Sequence, residues 1–448
     1  MPKINRFQKI LAILISAYVI FMSLLNIFLC AKCKPMFMEK LTTILKRRTE
    51  IGSVSCGIPN SIIIREAVIY NVTNQHPLYY FKEMKIRPSI LALIFERKLK
   101  FYCEIFPTKK FKAHIYATGN YDFKKKGLFL KFRLKDVPYT KDLGPIHGSL
   151  KLYKKPGLNE DDYPTDKMEI SFTSPNMQLT ALADILNVNG KTEIRGRMYA
   201  PFIKTDKLRF TNIESDAALI HDKLYFYNLY SDLYRGALRL DGYVDLDNPV
   251  NPCAVSMNIN DMDIHEFSST SSLFDKDVTG MLFANVKLKG SFGHMDSMTG
   301  KAWIEIKNAN VWEAAMFKGI AKILMIPDLK KVVFTYASGL FDLKNSVITT
   351  NKLKLTSKPV ELAAAGKLNL DGIVDASVRI KFKKELIESS PILSKLSSLI
   401  LESAGWFLGS IKIEGRIQDP SFSLAPVGVG NIFNKIKDTI DKVKDILK

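Results

Sequence analysis

From Val374 to Phe382 the chain alternates at every second position. Val374, Ala376, Val378, Ile380 and Phe382 are apolar, and Asp375, Ser377, Arg379 and Lys381 stand between them. Successive side chains of an extended chain point to opposite sides, so this is the period of a strand with one apolar face and one charged face. The pattern recurs at Leu282, Ala284, Val286 and Leu288 against Phe283, Asn285, Lys287 and Lys289, where Gly290 ends the run. It recurs again at Leu128, Leu130, Phe132 and Leu134 against Phe129, Lys131, Arg133 and Lys135, and at Leu238, Leu240, Val244 and Leu246. Three such strands are legible between Gly280 and Pro426. Further short strands are predicted at Phe101 to Ile105 and Ala113 to Tyr121. No strict repeat period exists; the recurring element is a glycine, a few alternating residues, then a Gly, Asn or Asp turn. The fold class this implies is mainly β, a long curved antiparallel sheet whose one-sided apolar surface must be buried or occupied.

Helical spacing interrupts the strands in four places. Trp312, Met316, Ile320 and Leu324 stand four apart before Pro327, and Ile392, Leu396, Leu399, Ile400 and Trp406 share one side of the stretch from Pro391 to Phe407. A helical stripe of this kind needs an apolar partner. A short helix is predicted from Pro35 to Arg48. After Gly428-Val-Gly430, the stripe Ile432, Ile436, Ile440, Val443 and Leu447 predicts an amphipathic C-terminal helix, capping the open end of the sheet or docking on a surface. Ile10 to Cys30 is 21 residues without a charge, preceded by Lys3, Arg6 and Lys9. At ~1.5 Å per residue it spans a hydrocarbon core of ~30 Å, and it lacks the short apolar region and cleavage site of a secretion signal. It reads as a single transmembrane anchor. The basic residues that follow it, Lys32 to Arg48, outnumber those before it and oppose export of the body by the loop-charge rule.

The net charge of +20 is mostly lysine, only 14 of the 65 basic residues being arginine. These lysines are spread over the polar sides of strands and form no compact basic motif, which sets nucleic acid aside as a partner. A solvated face or attraction to anionic head groups remains. Five cysteines, Cys30, Cys33, Cys56, Cys103 and Cys253, make neither a disulfide framework nor a zinc pattern. A Cys56–Cys103 bridge is open chemically, and nothing in the spacing requires it. The acidic run Asn159 to Asp166 lacks the glycine and distal glutamate of a calcium loop and reads as a solvated loop. Six histidines are scattered singly, and no nucleophile elbow, phosphate loop, dinucleotide fingerprint or His-x-x-x-His occurs. The chain therefore reads as a non-enzyme with neither cofactor nor metal.

The order of features resembles the AsmA-like family of bacterial envelope proteins. The resemblance is carried by Gly300-Lys-Ala-Trp-Ile-Glu-Ile-Lys-Asn-Ala-Asn-Val-Trp312, Ala337 to Thr350, Gly366-Lys-Leu-Asn-Leu-Asp-Gly372 and the closing Ile413-Glu-Gly-Arg-Ile-Gln-Asp-Pro420. Near the start, Ser61 to Val72 and Phe81 to Phe95 are similar to the strands that follow the family's anchor. One departure is Asn308-Ala309-Asn310, where a glycine turn is expected and a looser turn is implied. The resemblance implies a chain of four parts: an anchor at 1–34, a β-rich body at 35–279, an AsmA-like C-terminal β region at 280–426, and the helix at 427–448. It implies an open hydrophobic trough like that of the chorein-type bridge proteins, in the bacterial inner membrane with the body in the periplasm. Phospholipid acyl chains would be the cargo, carried for envelope biogenesis without a covalent step. Leu282, Val286, Leu288, Val374, Val378, Ile380 and Phe382 are the nominated lipid-binding lining. The alternative reading is an assembly factor that binds envelope proteins through exposed strand edges.

Overall fold

The computed structural model describes residues 34–45, 47–57, 61–73, 75–89, 92–107, 114–124, 127–136, 141–155, 165–189, 191–205, 208–270, 279–310, 334–358, 360–382, 407–417 and 419–425, together with Ser23 and Leu24. The expected anchor (apart from those two residues), the helices at 312–326, 391–406 and 431–447, and the acidic run up to Pro164 lie outside the described residues. Among the described residues no helix is long and apolar enough to cross a membrane. The chain is mainly β, with 22 strands in one open antiparallel sheet. It divides into two compact units. The first comprises residues 1–205, 212–227 and 243–252; the second comprises 206–211, 228–242 and 253–448.

The first unit opens with helix α1 (Lys34–Leu45) and runs through β1 (Thr49–Gly57), β2 (Ser61–Tyr70), β3 (Pro77–Pro88), β4 (Lys98–Phe106), β5 (His114–Asp122), β6 (Gly127–Lys135), β7 (Ile146–Lys155), β8 (Thr165–Ser174), β9 (Met177–Val188) and β10 (Lys191–Lys204). Each of these strands pairs antiparallel with the next in sequence. Strands β11 (Arg209–Ile220), β12 (Lys223–Leu233) and β13 (Gly236–Asp245) each give a segment to both units. The second unit continues with β14 (Pro252–Asp263), helix α2 (Ile264–Thr270), β15 (Thr279–Ser291), β16 (His294–Asn310), β17 (Tyr336–Lys344), β18 (Val347–Thr356), β19 (Val360–Asn369), β20 (Ile373–Phe382), β21 (Phe407–Arg416) and β22 (Asp419–Ala425).

Three expectations from sequence are corrected here, and one open pairing is decided. Residues 280–426 hold eight strands where three were legible, because β16 to β19 mix small and polar residues that mask the alternation. The run at Leu282 does not end at Gly290, since β15 continues to Ser291. Asn308-Ala309-Asn310 is not a turn. Asn308 takes a left-handed φ of 50° inside β16, and the ladder shifts register there, with Asn310 still opposite Thr279. A Cys56–Cys103 bridge is excluded by register: Cys56 stands opposite Ile62, Ile62 opposite Ile86, and Ile86 opposite Cys103. Three inter-strand steps of ~4.8 Å put the two roughly 14 Å apart, beyond any disulfide. Cys103 is a free, buried thiol.

Close backbone approach explains two glycines. Phe101 stands opposite Gly119 and Phe132 opposite Gly148. A Cβ on either glycine would lie 2.1–2.3 Å from the phenylalanine ring, so the far end of each ring takes the space where a side chain would have been. At one end of the first unit, α1 rests Met38 and Leu41 on the core of Ile51, Val54, Ile64 and Ala67.

The first unit's sheet also curls back on itself. Arg47, two residues before β1, pairs with Asp222 at 2.6 Å in the β11–β12 turn and with Asp247 at 2.7 Å after β13. Asp247 also accepts the backbone N–H of Val72 at 2.9 Å. Laid flat, ten inter-strand steps would separate β1 from β11 by about 48 Å. The start of β1 would also lie at the opposite end of the strands from the turn that follows β11. A right-handed twist of roughly 20–25° per step accumulates to more than half a turn over ten strands, and with the curl it brings opposite strand ends together. The ion pairs close this curl, and β1 is laddered to β2.

Arg47 is largely buried, so truncating it leaves two aspartates facing each other. Arg47→Ala is expected to cost about 1–3 kcal/mol, discounted from a fully buried pair for the partial exposure of Asp222. The check is the urea midpoint of the full chain; an unchanged midpoint would mean that the ladder alone holds the curl.

Candidate functional site

Residues directly opposite each other in an antiparallel ladder share a face, so rows can be traced across each unit. In the first unit one row runs Phe101, Gly119, Leu130, Leu150, Ile170, Ala181, Met198 from β4 to β10. The adjoining row runs Ile86, Cys103, Ala117, Phe132, Gly148, Phe172, Leu179 from β3 to β9. No charge interrupts either row. On the opposite side the equivalent row reads Tyr102, Thr118, Lys131, Ser149, Ser171, Thr180, Tyr199. The recurring alternation of the sequence is thus kept in phase from strand to strand.

This apolar face is not a packed core. Leu128, Leu130, Phe132, Leu134, Leu150, Leu152, Ile170 and Phe172 are all half-buried, and the large buried side chains on β4–β10 are few. Between sandwiched sheets, inward rows are buried by the facing sheet. At ~4.8 Å per strand and ~3.3 Å per residue, an apolar stretch seven strands wide and some seven residues long covers on the order of 700 Å².

The charged side is held by cross-strand pairs. Arg65 meets Glu83 at 3.1 Å and Lys151 meets Glu169 at 3.2 Å, each pair directly opposite in register. The Tyr153 hydroxyl, donating to Glu169 at 2.6 Å, holds that carboxyl below its ordinary value; burial opposes this and Lys151 adds to it. Burial, and then the hydrogen bond to Glu104, push the Tyr102 phenol up to about 12. Exposed pairs of this kind are each worth little, and they compensate lysines on this side.

In the second unit the same bookkeeping brings the nominated residues together. One row links Leu282, Ile306, Ala337, Leu355, Leu362 and Ile380; another links Leu288, Gly300, Leu343, Ile348, Leu368 and Val374. Val286 and Val378 fall on the same face between them. Phe382 pairs with Val360 at the end of β20, and nothing of its side chain is described. The residues nonetheless sit in different surroundings. Val374 and Val378 are buried and line a cavity of about 180 Å³ with Phe341, Leu353, Ala364 and Ile413. Ile380 is buried outside that lining. Leu282 packs on the core of Leu233, Leu238, Met262 and Phe267, the last from α2, and so is ordinary core. Val286 and Leu288 are half-buried.

The cavity exists because Ala364, Gly366 and Ala376 are small. Gly366 stands opposite Ala376 and Ala364 opposite Val378, and larger neighbours wall the trench on both sides. Its volume is close to that of an engineered dry cavity that admits benzene, so it holds a small apolar group rather than a whole lipid. Sequence reasoning did not nominate these small residues or the Leu130 and Leu150 row. The latter carried the same alternation; the former are legible only once register is known.

Among the described residues no three His, Cys, Asp or Glu side chains gather as a metal site. No family model, no curated protein and no solved structure matches the chain.

Cys103 reports on the apolar face. Burial among Ile86, Ala117 and their neighbours pushes its thiol up to about 11 from an ordinary 9.0. The folded state favours the neutral thiol, so its contribution to stability is complete below pH 9 and is lost as pH rises through about 11. Alkylation of Cys103 by iodoacetamide, followed by peptide mass spectrometry, is expected to be slow near neutral pH and to rise only toward pH 11. Rapid labelling at neutral pH would contradict this burial.

Proposed function

We propose that this protein shields phospholipid acyl chains on the apolar face of its sheet and passes them along it. The supporting observation is the first unit's half-buried, charge-free rows on a face whose reverse side is lysine-rich. Transferring an acyl tail to water costs about 0.8 kcal/mol per CH₂, so a tail of some sixteen carbons moves only where apolar surface follows it. Rows of leucine, isoleucine and phenylalanine repeat every ~4.8 Å across the strands. Neighbouring positions are therefore close in energy, and a tail meets no charged barrier in stepping from one to the next. The head group stays in water, and no bond is made or broken.

In this reading the apolar face is the inner side of the first unit's curl. Its lower exposure, in alternation with the exposed lysine side, fits a concave surface whose side chains shelter one another. The second unit's trench takes the end of a chain or another small apolar group. Ile10 to Cys30 anchors the protein in a bacterial inner membrane with the body in the periplasm, consistent with the resemblance to AsmA-like proteins. Envelope proteins at the far end would be its partners.

The test is the lipid content of the purified full-length protein, set against an unrelated soluble protein fused to residues 1–34, which reports lipid held by the anchor alone. Several extra phospholipids per chain are expected. The double variant Leu130→Asp/Leu150→Asp, at half-buried positions, is expected to lose most of them; the two carboxylates face each other in the ladder and lower its melting temperature, and a retained cooperative unfolding transition shows that it still folds. Wild-type protein that carries no more lipid than the fusion, or bound polypeptide in place of lipid, would reject the proposal. Filling the trench with Ala376→Leu is expected to raise stability by about 0.5–2 kcal/mol and to leave the first unit's lipid unchanged.

A further inference from the structure

Four exposed large apolar side chains of the first unit, Leu93, Ile94, Phe95 and Phe123, gather at one end of its strands. Between β3 and β4 the chain makes a single π-helical turn, Ala92–Glu96. Ala92 is buried and fixes the turn, while Leu93, Ile94 and Phe95 are 44%, 63% and 80% exposed. Backbone bonds hold the turn in place: Ser89 N–H donates to the Lys100 carbonyl at 2.8 Å, and Leu93 N–H to the Ser89 carbonyl at 3.2 Å. The outward display of three successive apolar residues is therefore built into the backbone. Arg97, at a left-handed φ of 53°, closes the turn and is itself exposed.

A second loop stands beside it. Lys98 is directly opposite Asp122 in the β4–β5 ladder, with Nζ 3.9 Å from the carboxylate. The β5–β6 connection after Asp122 therefore adjoins the turn and presents Phe123, 50% exposed, and Lys124. The surroundings are basic. Arg97, Lys98, Lys100 and Lys124 stand against Glu96 and Asp122, four positive groups against two negative, and the two acids are engaged by Lys100 at 2.7 Å and by Lys98. Lys125 and Lys126 follow in sequence.

We infer that this end of the first unit docks on an anionic phospholipid bilayer, with Leu93, Ile94, Phe95 and Phe123 entering the head-group boundary and the basic residues around them meeting lipid phosphates. Apolar side chains that protrude within a basic collar match such an interface in both polarity and charge. An acidic protein surface would satisfy the collar and leave the protruding phenylalanines in water. The inference does not rest on the lipid-shielding reading: docking at this end and occupancy of the apolar face are separate properties.

The experiment holds the full-length protein in phosphatidylcholine nanodiscs, which satisfy the N-terminal apolar segment, and floats it with vesicles of phosphatidylcholine and phosphatidylglycerol. Wild type is expected to float with these vesicles and not with phosphatidylcholine alone. Ile94→Asp/Phe95→Asp is expected to lower the bound fraction about tenfold. Arg97→Ala/Lys124→Ala is expected to remove the preference for the anionic vesicles by a similar factor. All of these positions are exposed, and matched unfolding midpoints confirm that the variants fold; Phe95→Ser is a milder second variant that is expected to reduce binding in the same direction. Equal flotation of wild type and Ile94→Asp/Phe95→Asp would overturn the inference, as would equal binding to the two kinds of vesicle. Leu130→Asp/Leu150→Asp should dock normally, which separates a failure here from a failure of lipid shielding.

Discussion

Everything in this structure depends on keeping the apolar side chains of successive strands in phase. A strand has a side-chain period of two, so a slip of one residue in any ladder would turn that strand's leucines to the lysine side. Across β3–β10 no such slip occurs within the rows, and across β15–β20 the irregular positions, such as the shift between Thr350 and Leu353, leave Leu353 and Leu355 on the same face as Ala364 and Leu362. Paired charges such as Lys151–Glu169 hold phase from the other side: a slipped register would place like charges or a leucine opposite them.

The same constraint produces two surroundings. In the first unit, phenylalanines laid over Gly119 and Gly148 thicken an apolar face that stays half open. In the second unit, the pattern is built with more alanine and glycine at Ala364, Gly366 and Ala376, and it yields a narrow trench with buried walls. Twist accumulated over many strands is what lets Arg47 reach Asp222 and Asp247. The ion pairs of Arg47 fix where the ends meet. One arginine shared between two carboxylates also places a charge-sensitive joint beside the first strand.

Much of this was legible in the residues. The alternations at Leu128–Leu134, Leu282–Leu288 and Val374–Phe382 are strands on the expected faces, and α1 lies within the stretch that reads as a helix. Less visible were turns without the usual Asn-Gly pair. Tyr234–Arg235 and His221–Asp222 both adopt positive φ at their two central positions, the geometry of a tight hairpin that sequence rules associate with Asn-Gly. Strands such as β16 were hidden for a different reason: Gly300 and Ala302 are small because neighbouring strands press on them, and that pressure appears only in three dimensions. Of the nominated residues, Leu282 packs in ordinary core while Val374 and Val378 line a trench. Alternation reports which side a residue is on; whether Leu282 is core or Val378 lines a trench depends on what else reaches that side.

The central claim is that lipid occupies one face of the first unit and avoids the other. A photo-crosslinking amino acid placed in living cells at Leu150, and separately at its neighbour Ser149 on the opposite side, tests this directly. The account expects a phospholipid-mass adduct from position 150 and none from position 149. Adducts of equal yield at both positions, or protein adducts from position 150 with no lipid, would contradict it.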